Sequence, residues 1–408
     1  MVDVQPFRAI RPNEQLASQV ACLPYDVIDT NEARAESQDN PYSYYHIDRS
    51  EIAFDDDFNP YDPKVYELAN QTLQQFLQKG WLKKEDKPCF YLYELTMDGR
   101  KQTGIAASTS IDDYVNDQIK KHEFTRPAKE QDRINHIKAC DANTSPIFLS
   151  YRQPQAMQHL VEEWKANHVP VYDFTKYHGV THRLWVIDEE ATVAQMVALF
   201  AQVPALYIAD GHHRAASAVK VGLEKRAQGQ SSAESDYFLS IIFPEQELKI
   251  LEYNRVINVT PPADFLERLA KIFTIQPTSE TKSQQKGEFK LYFQNQWYTL
   301  TLDESLRPTD AVEGLDVAVL QKYVIEDIFG IMDIRTDARI DFVGGIRGSE
   351  ELARLVDSGA FQVAFALYPT SMQDLLAVAD DNQIMPPKST WFEPKLLSGL
   401  LLHDLETR

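Results

Sequence analysis

Pro204-Ala205-Leu206-Tyr207-Ile208-Ala209-Asp210-Gly211-His212-His213-Arg214 is followed in this chain by Ala215-Ala216-Ser217-Ala218-Val219. The apolar run from Leu206 to Ala209 predicts a buried strand, and Asp210-Gly211 is typical of a sharp turn. The alanine-rich run behind them has a high helix propensity. The segment therefore predicts a strand, a turn and a helix, with polar side chains gathered at the helix start.

The polar side chains at this helix start favour an anionic ligand. A helix N-terminus carries unpaired backbone N–H groups and the positive end of the helix dipole, so it attracts phosphate above all. Gly211 lets an anion approach, the forked cation of Arg214 suits phosphate oxygens, and His212 and His213 titrate near neutral pH. Taken singly, Asp210 is better explained as an N-cap and Arg214 as a solvated first-turn residue. The group as a whole favours a functional site.

The segment from Tyr207 to Ala218 resembles the strand–turn–helix signature of the ParB/sulfiredoxin-like fold, in the Asp-Gly-His-His-Arg version found in free-serine kinases. Five further segments make the chain similar, nearly end to end, to a bacterial and archaeal family known as domain of unknown function 1015. The kinase resemblance implies that Asp210 holds Mg²⁺ or the acceptor, and that His212, His213 and Arg214 bind the phosphates. The five segments are Pro6-Phe7-Arg8-Ala9-Ile10-Arg11-Pro12, Leu23-Pro24-Tyr25-Asp26-Val27, Lys121-His122-Glu123-Phe124-Thr125-Arg126-Pro127, Asp341-Phe342-Val343-Gly344-Gly345-Ile346-Arg347-Gly348 and Met385-Pro386-Pro387-Lys388-Ser389-Thr390-Trp391-Phe392.

The bulk composition restricts the class of protein. A formal net charge of −20 argues against a nucleic-acid surface, because binding to phosphate backbones needs clustered Lys and Arg. Cys22, Cys89 and Cys140 show neither a disulfide framework nor zinc-site spacing, which favours small buried residues in a reducing compartment. The N-terminus lacks a signal-peptide pattern, and no run reaches membrane-spanning length. We therefore expect a cytoplasmic protein without nucleic-acid or membrane partners, and a homo-oligomer is compatible with the sequence.

Strands and helices alternate around the signature, which predicts an α/β fold with mixed sheets and a ParB/sulfiredoxin-like core. A chain of 408 residues usually holds several lobes. We expect a catalytic core with insertions over residues 1–255, a small accessory α/β lobe over 256–310, and a C-terminal α/β lobe with a lid-like loop over 311–408. The clearest further elements are helices at 62–80, from 128, at 317–329 and at 349–356, and hairpins at 89–95 with 103–108 and at 289–293 with 297–302.

A second dense polar segment runs from Lys120 to Arg133, where Pro127 separates a loop from a helix. Glu123 has the chemistry of a general base that deprotonates a substrate hydroxyl. Basic residues of the segment are candidates to neutralise a transferring phosphate, and two polar residues behind them are candidate substrate ligands. These are Lys121, Arg126 and Arg133 for the phosphate, and Asn135 and His136 for the substrate. An exposed network of ion pairs is the alternative explanation.

Five further candidates lie outside these two segments. A proline-fixed turn presents Tyr25 and Asp26 as substrate ligands, although Asp26 is equally well explained as the cap of the next helix. Arg255 lies on a predicted strand and faces either solvent or the site. Arg347, in a glycine turn before a helix, and Lys388, in a proline-rich loop, are candidate donors to bound phosphate. The proline-rich loop is also explained as a simple cover.

Together these residues favour a phosphotransferase that uses Mg²⁺ and a donor such as ATP, ADP or pyrophosphate, with an L-serine-like hydroxylated metabolite as acceptor. The chain contains neither a Walker A loop nor a kinase glycine-rich loop, so the donor has to bind at the helix start 210–214. A phosphatase in which His212 or His213 acts on a small phosphomonoester, and a nucleotide- or metabolite-binding regulator without turnover, stay open as alternatives. A metal-dependent hydrolase would need four histidines to converge, namely His122, His136, His212 and His213.

Overall fold

The computed structural model describes residues 1–406 and contains two compact units. Unit 1 comprises Met1–Lys121, Thr125–Leu248 and Pro394–Arg408, and unit 2 comprises His122–Phe124 and Lys249–Glu393. Both units combine strands with helices, so the mixed α/β class predicted from the sequence is confirmed.

A nine-stranded mixed sheet forms the centre of unit 1. The strand Leu206–Asp210 is the second from one edge of this sheet, between the parallel edge strand Ile119–Lys120 and an antiparallel neighbour, Ile147–Tyr151. The other strands continue from Ile147–Tyr151 toward the far edge, the first of them parallel to it and the rest antiparallel to one another. In order they are Tyr237–Pro244, Arg100–Ser110, Phe90–Met97, Val180–Ile187 and Tyr172–Lys176, with Val4–Gln5 paired to the end of Arg100–Ser110.

The hairpin predicted at 89–95 with 103–108 is confirmed, because Phe90–Met97 and Arg100–Ser110 pair antiparallel on either side of a turn at Asp98-Gly99. Asp98 and Gly99 both adopt positive φ angles, 51° and 77°. A two-residue turn with two left-handed residues matches the right-handed twist of the strands, and Asp-Gly tolerates that backbone at low cost. The turn chemistry therefore fixes the register of this pair of strands.

Two apolar clusters stabilise unit 1. The larger cluster joins the nine-stranded sheet to its helices through side chains such as Met157, Met196 and Ala215. The second cluster surrounds a four-stranded antiparallel sheet of short strands and includes Leu73 and Phe76. Each large side chain buried in this way contributes about 1.5–3 kcal/mol. The helices are Ala17–Val20, Thr30–Ser37, Tyr45–Asp48, Pro63–Gln78, Ile111–Val115, Pro127–Cys140, Gln155–Asn167, Glu190–Phe200 and His212–Ala227; the short strands are Leu82–Lys84, Ala9–Pro12, Leu402–Asp404 and Ala142–Asn143.

Helix ends in unit 1 follow the capping residues. The helix predicted at 62–80 spans Pro63–Gln78; the Asp62 side chain accepts the N–H of Lys64, and the proline takes the first position, where no N–H is needed. The helix Thr30–Ser37 is capped by Asp29, which forms a capping box with Glu32. The alternative that Asp26 caps this helix is therefore wrong, since Asp29 stands directly before the first turn.

A six-stranded antiparallel sheet forms the centre of unit 2. The helix Gly348–Asp357 packs on one face of it, where Leu352 meets Val256, Val343 and Ala364. The strands are, in order, Phe273–Thr278, Gln296–Leu302, Glu288–Phe293, Val363–Ala366, Tyr253–Ile257 and Ile340–Gly344. The other elements are helices Phe265–Leu269, Asp316–Leu320 and Met372–Asp380, and a two-stranded ladder of Ile250–Leu251 with Trp391–Phe392.

The organisation of unit 2 differs from the division into lobes at 256–310 and 311–408. One sheet contains strands of both segments, because Val363–Ala366 pairs with Glu288–Phe293 on one side and with Tyr253–Ile257 on the other. The helix predicted at 317–329 is likewise not continuous: Asp316–Leu320 is α-helical, and Gln321–Glu326 forms a π-helical turn. The pairing of Val363–Ala366 with strands from two earlier segments leaves no local signal in the sequence, because it joins distant residues.

Two expectations from composition can be compared with residues 1–406. No helix in this range is long and apolar enough to cross a membrane. The three cysteines, Cys22, Cys89 and Cys140, are buried and form no disulfide within this range. Their role as small buried residues is thus confirmed.

Candidate active site

Asp210 lies at the end of the strand Leu206–Asp210, at a β-bulge. Ile208 lies opposite Leu149 and Asp210 opposite Phe148, so Ala209 is one residue more than the partner strand provides. Side chains of a strand alternate between the two faces of the sheet, and an extra residue reverses that alternation. The bulge therefore places the Asp210 side chain on the face opposite Ile208.

The helix that follows begins at a left-handed glycine. Gly211 has φ 94° and ψ 32° and is the N-cap of the 16-residue helix His212–Ala227. In the described part of the chain no side chain caps this helix start. A helix start without a side-chain cap favours an anion through its backbone N–H groups and the helix dipole, which is the arrangement that the sequence predicts. The alternative that Asp210 is the N-cap is wrong, because Gly211 takes that position.

Arg214 is buried against this turn and is not a solvated residue. A Cβ added to Gly211 would lie 3.1 Å from Arg214 Nε and 3.2 Å from its Cζ. Nη1 donates to the Pro146 carbonyl over 2.6 Å, and Nη2 lies 3.9 Å from Asp210 Oδ2 and 4.0 Å from Asp26 Oδ2. Burial would lower the pKa of Arg214, but the two carboxylates outweigh it and raise the pKa. Nε has no hydrogen-bond partner among residues 1–406, so the guanidinium keeps a buried donor for a ligand.

Two cations hold the Asp210 carboxylate in its ionised form. Lys395 Nζ lies 3.4 Å from Asp210 Oδ2, and Arg214 Nη2 lies 3.9 Å from the same oxygen. Burial would raise the pKa of Asp210, but Lys395, Arg214 and then His212 lower it well below the usual range. The side chain is still 32% exposed, so a ligand can reach the carboxylate.

His213 joins the starts of two helices. Its Nε2 accepts the backbone N–H of Arg126 over 2.9 Å, and Arg126 is the N-cap of the helix Pro127–Cys140. Burial and the nearby Lys129 lower the pKa of His213, with Asp26 opposing them. A neutral imidazole that accepts at Nε2 carries its proton on Nδ1, so His213 offers an N–H donor at neutral pH.

Two arginine side chains hold the turn that carries Tyr25 and Asp26 in place. Arg49 Nη1 donates to the carbonyls of Tyr25 and Ile28 over 2.6 Å and 3.0 Å. The Arg133 guanidinium lies 4.0 Å from the centre of the Tyr25 ring, which is buried. Asp26 keeps a side chain that is 29% exposed and faces Arg214. The structure therefore brings Asp26, Asp210 and Arg214 together.

Beneath this turn lies a buried ionic cluster centred on Asp48. Its carboxylate accepts from Arg133 Nη1 over 3.1 Å and from the Ser145 hydroxyl over 3.2 Å. Arg133 also pairs with Asp132 over 2.9 Å. A cavity of about 20 Å³, enough for one water molecule, is lined by Arg133, Ser145 and Arg214 among others. Arg133 thus supports Tyr25 and the floor of the site.

His136 has a structural role in this cluster. Its Nε2 lies 2.9 Å from the Ile47 carbonyl, and its Nδ1 lies 3.2 Å from Thr144 Oγ1. Burial and the Arg133 charge lower the pKa of His136. Because both ring nitrogens are engaged, we withdraw His136 as a substrate ligand and as a metal ligand.

Two other predicted ligands of unit 1 are engaged elsewhere. Lys121 Nζ donates to the Tyr114 carbonyl over 3.1 Å and pairs with Asp117 over 3.2 Å. The Asn135 side chain accepts from Gln131 over 2.9 Å at the surface of its helix. These contacts show local roles for Lys121 and Asn135 and no bond to Asp210 or Arg214.

Four predicted site residues belong to unit 2: Glu123, Arg255, Arg347 and Lys388. Glu123 lies in a loop, and Arg347 is exposed. A Cβ on Gly345, in the glycine turn before Arg347, would lie 2.6 Å from the Glu252 carboxyl carbon. A carboxylate thus covers the glycine turn, which disfavours a phosphate there. Arg255 is buried and does not face solvent.

Two contacts of the site are not predictable from the sequence. Lys395 follows the proline-rich loop, and its pairing with Asp210 joins positions 185 residues apart. Asp48 gave no signal, because it lies in a short helix, Tyr45–Asp48, and meets Arg133 only through the fold. Only a structure, or covariation between such pairs, can find contacts of this range.

The donor set is compatible with Mg²⁺. Asp210 and Asp26 offer carboxylate oxygens, which are the ligands that Mg²⁺ prefers, and both approach Arg214 Nη2. Lys395 and Arg214 already neutralise Asp210, so a metal bound here would arrive with negatively charged phosphates.

Replacing Gly211 by alanine is expected to destabilise unit 1 by about 1–2 kcal/mol, because an L-residue is strained at this positive φ. The added methyl group also pushes on Arg214, so phosphate binding weakens as well. Gly229→Ala is the matched control: φ is 68° there, but no atom lies within 4 Å of the added Cβ. Thermal unfolding and phosphate titration of both variants measure this. Equal phosphate binding in the two variants would contradict the role of the Gly211–Arg214 contact.

Comparison with known proteins relates the chain to one family. No curated protein matches it. A variant of free serine kinase in complex with AMP is similar over 71% of this chain and 86% of that chain, at 12% identity and a TM-score of 0.37. SbnI from Staphylococcus aureus, truncated at its C-terminus, matches over 72% and 85% at 14% identity and a TM-score of 0.38. A conserved hypothetical protein from Pyrococcus furiosus matches over 73% and 94% at 14% identity and a TM-score of 0.34. The family described as protein of unknown function (DUF1015) matches residues 4–318, and the chain belongs to this family.

Proposed function

We propose that the protein is a phosphotransferase that moves a phosphoryl group from a nucleotide or polyphosphate to the hydroxyl group of a small metabolite such as L-serine. The observation that carries this proposal is the start of the helix His212–Ala227, where a left-handed glycine forms the N-cap and the buried Arg214 guanidinium keeps an unpartnered Nε. Positioning and charge neutralisation are the main needs of phosphoryl transfer, and this arrangement supplies both.

The donor phosphates bind at this helix start. The backbone N–H groups that follow Gly211 point at the anion, and Arg214 adds its unpartnered Nε. His213 donates from Nδ1, because its Nε2 accepts the Arg126 N–H. A neutral histidine donor stabilises charge that develops on the phosphate without itself losing a proton.

The acidic residues orient the other side of the reaction. Asp210 stays ionised beside Lys395, and together with Asp26 it would hold Mg²⁺, which would neutralise phosphate charge. The acceptor oxygen attacks the transferred phosphorus, the bond to the donor's bridging oxygen breaks, and the hydroxyl proton passes to a base. Glu123 stays our proposed base on the strength of its chemistry alone.

A phosphatase that uses His213 as nucleophile or base is less well supported. The Nε2 lone pair already accepts the Arg126 N–H over 2.9 Å, and the proton on Nδ1 leaves that atom without a free lone pair. A regulator without turnover needs only the anion site, so turnover itself separates it from a kinase.

The test is a turnover screen with Mg²⁺ that pairs L-serine and related hydroxy metabolites with ATP, ADP or pyrophosphate. Phosphorylated product is followed by mass spectrometry. Asp210→Asn keeps the shape of the side chain but removes its charge, so we expect product formation to fall about 100-fold, as for loss of one preorganised electrostatic group. Asp188→Asn is the control, because Asp188 is an exposed residue paired with Lys87.

Each outcome of the screen decides between the functions. Product that needs Asp210 but not Asp188 supports the kinase. Free phosphate from a phosphomonoester, with no transfer to an acceptor, would support the phosphatase. Nucleotide binding that needs Arg214, without any product, would support the regulator.

A further inference from the structure

Unit 2 contains a buried cation without a counter-ion. Arg255 lies on the strand Tyr253–Ile257 and is 1% exposed. Nη1 donates to the Tyr253 carbonyl, and the guanidinium carbon lies 5.1 Å from the centre of the Phe342 ring. Nε has no hydrogen-bond partner, and no carboxylate of residues 1–406 forms an ion pair with Arg255. Among residues 1–406, this carbonyl and this aromatic face are the contacts of the guanidinium.

Such an arrangement is costly for a charged side chain. A buried ion loses its hydration, and protein interiors normally compensate it with an opposite charge and several hydrogen bonds. Burial lowers the pKa of Arg255 to about 10, with the neighbouring Tyr253 acting in the opposite sense. The buried Lys290 of the same unit shows the usual solution, since it pairs with Glu288 over 2.7 Å and with Glu280 over 3.3 Å. Arg255 differs from Lys290 in lacking any such partner.

A second cation lies in the same surroundings. Lys388 Nζ lies 5.3 Å from the centre of the Tyr253 ring, and Lys388 itself has a positive φ of 60°. No ion pair involves Lys388 within residues 1–406. Phe342 stands opposite Arg255 in the sheet, and its ring centre lies 6.1 Å from that of Tyr253. Arg255, Lys388 and the two aromatic rings therefore form one connected cluster, which we name the Arg255 cluster.

The glycine turn next to this cluster is not part of it. Tyr253 pairs with Gly344, and the Gly345 N–H donates to the Glu252 carbonyl over 2.8 Å. The Glu252 carboxylate packs against Gly345 and makes no ion pair with Arg255. The Glu252 carboxylate repels an anion from the glycine turn, so the Arg255 guanidinium is the better position for an anionic ligand.

We propose that unit 2 binds a small oxyanion at the Arg255 cluster: a phosphate or carboxylate group that pairs with the Arg255 guanidinium and is attracted by Lys388. A planar oxyanion or a phosphate accepts two N–H bonds from one guanidinium, which satisfies Nε and the charge together. Only residues of unit 2 are involved, so a test of this site is independent of a test of the phosphotransferase activity.

The test observes the Arg255 side chain directly in the full-length protein. The Nε–H resonance of Arg255 is assigned in ¹⁵N-arginine-labelled protein by its disappearance in Arg255→Met. Inorganic phosphate and malonate are then titrated separately, with chloride at equal ionic strength as the control. We expect a saturable shift of the Arg255 resonance with phosphate, with malonate or with both, and none with chloride. The anion that acts tells whether the site prefers phosphate or carboxylate.

Stability provides a second readout with opposite expectations. If Arg255 is kept to bind an anion, Arg255→Met unfolds in chloride at the same temperature as the native protein or at a higher one. The anion that shifts the Arg255 resonance then does not raise the unfolding temperature of Arg255→Met through this site. If Arg255 is only structural, loss of its carbonyl and Phe342 contacts lowers the unfolding temperature. The absence of any anion-specific shift, with a less stable Arg255→Met, would overturn the proposal. Should Arg255→Met not fold, Arg255→Lys serves for the assignment, and the titration of the native protein still decides.

Discussion

Asp48→Asn is expected to destabilise unit 1 by about 3 kcal/mol, because it leaves a buried arginine without its buried counter-ion. The Asp48 side chain is fully buried and accepts from Arg133 Nη1 over 3.1 Å. The asparagine keeps the shape, so the loss reports the charge and not a cavity. Urea unfolding of the native and variant proteins at pH 7 measures the free energy of the transition that unfolds unit 1.

The same guanidinium offers a matched control. Asp132 pairs with Arg133 Nη2 over 2.9 Å, but its side chain is 14% exposed, so water reaches the carboxylate. Asp132→Asn is therefore expected to cost at most about 1 kcal/mol. Asp48→Asn combined with Arg133→Met removes both charges and recovers more than half of the loss. Equal losses for Asp48→Asn and Asp132→Asn would contradict the role given to Asp48.

His182 is expected to make unit 1 sensitive to acid. The side chain is buried, and Nδ1 lies 2.8 Å from the Tyr93 hydroxyl oxygen. Burial lowers the pKa of His182 to about 4, well below the usual value of about 6.5. The folded state favours the neutral ring, so the stabilisation is complete above pH 6.5 and is lost as the pH falls toward 4. Between pH 7.5 and 4.5 the free energy of unfolding drops by about 2.5 kcal/mol on this account.

The His182 effect is isolated by subtraction, since carboxylates titrate in the same range. The pH dependence of the native protein minus that of His182→Gln should show a loss of about 2.5 kcal/mol on acidification. His159→Gln is the control, because His159 is exposed on its helix. An identical pH profile for the native protein and His182→Gln would show that the buried ring does not control acid stability.

Much of the fold could be predicted because its signals are local. The Asp98-Gly99 turn and the Pro63 helix start depend on residues next to each other in the chain. The same holds for the segment 206–227, where an apolar run, a glycine and an alanine-rich run follow in sequence. Periodicity and turn chemistry act over a few residues, so the sequence alone specifies such elements.

What could not be predicted depends on distant residues or on small shifts in register. The bulge at Ala209 moves the Asp210 side chain to the other face of the sheet. Alanine and aspartate are not residue types that predict a bulge. Asp48 and Lys395 reach the site from positions 85 and 185 residues away from their partners. Tertiary contacts of this kind decide which charged residues are buried together.

The candidate site shows the same contrast residue by residue. Arg214 and Asp210 were predicted from the signature, and the structure brings them together with Asp26. Lys121 and His136 have the right chemistry for a ligand site, but Lys121 is engaged by the nearby Tyr114 carbonyl and His136 by the distant Ile47 carbonyl. Residue type predicts what a side chain can do, whereas burial and partners decide whether it is available.

The central claim, that phosphate binds at the start of the helix His212–Ala227, is tested most directly by the backbone amides of that start. Protein labelled with ¹⁵N-histidine gives signals for 10 histidines, and His212 and His213 are assigned by substitution. On addition of ATP or pyrophosphate with Mg²⁺, we expect these two amide signals to shift in a saturable way. In Arg214→Lys, which loses the planar fork, the shifts should need much higher ligand concentrations. Saturable shifts at other histidines with His212 and His213 unmoved would contradict the account.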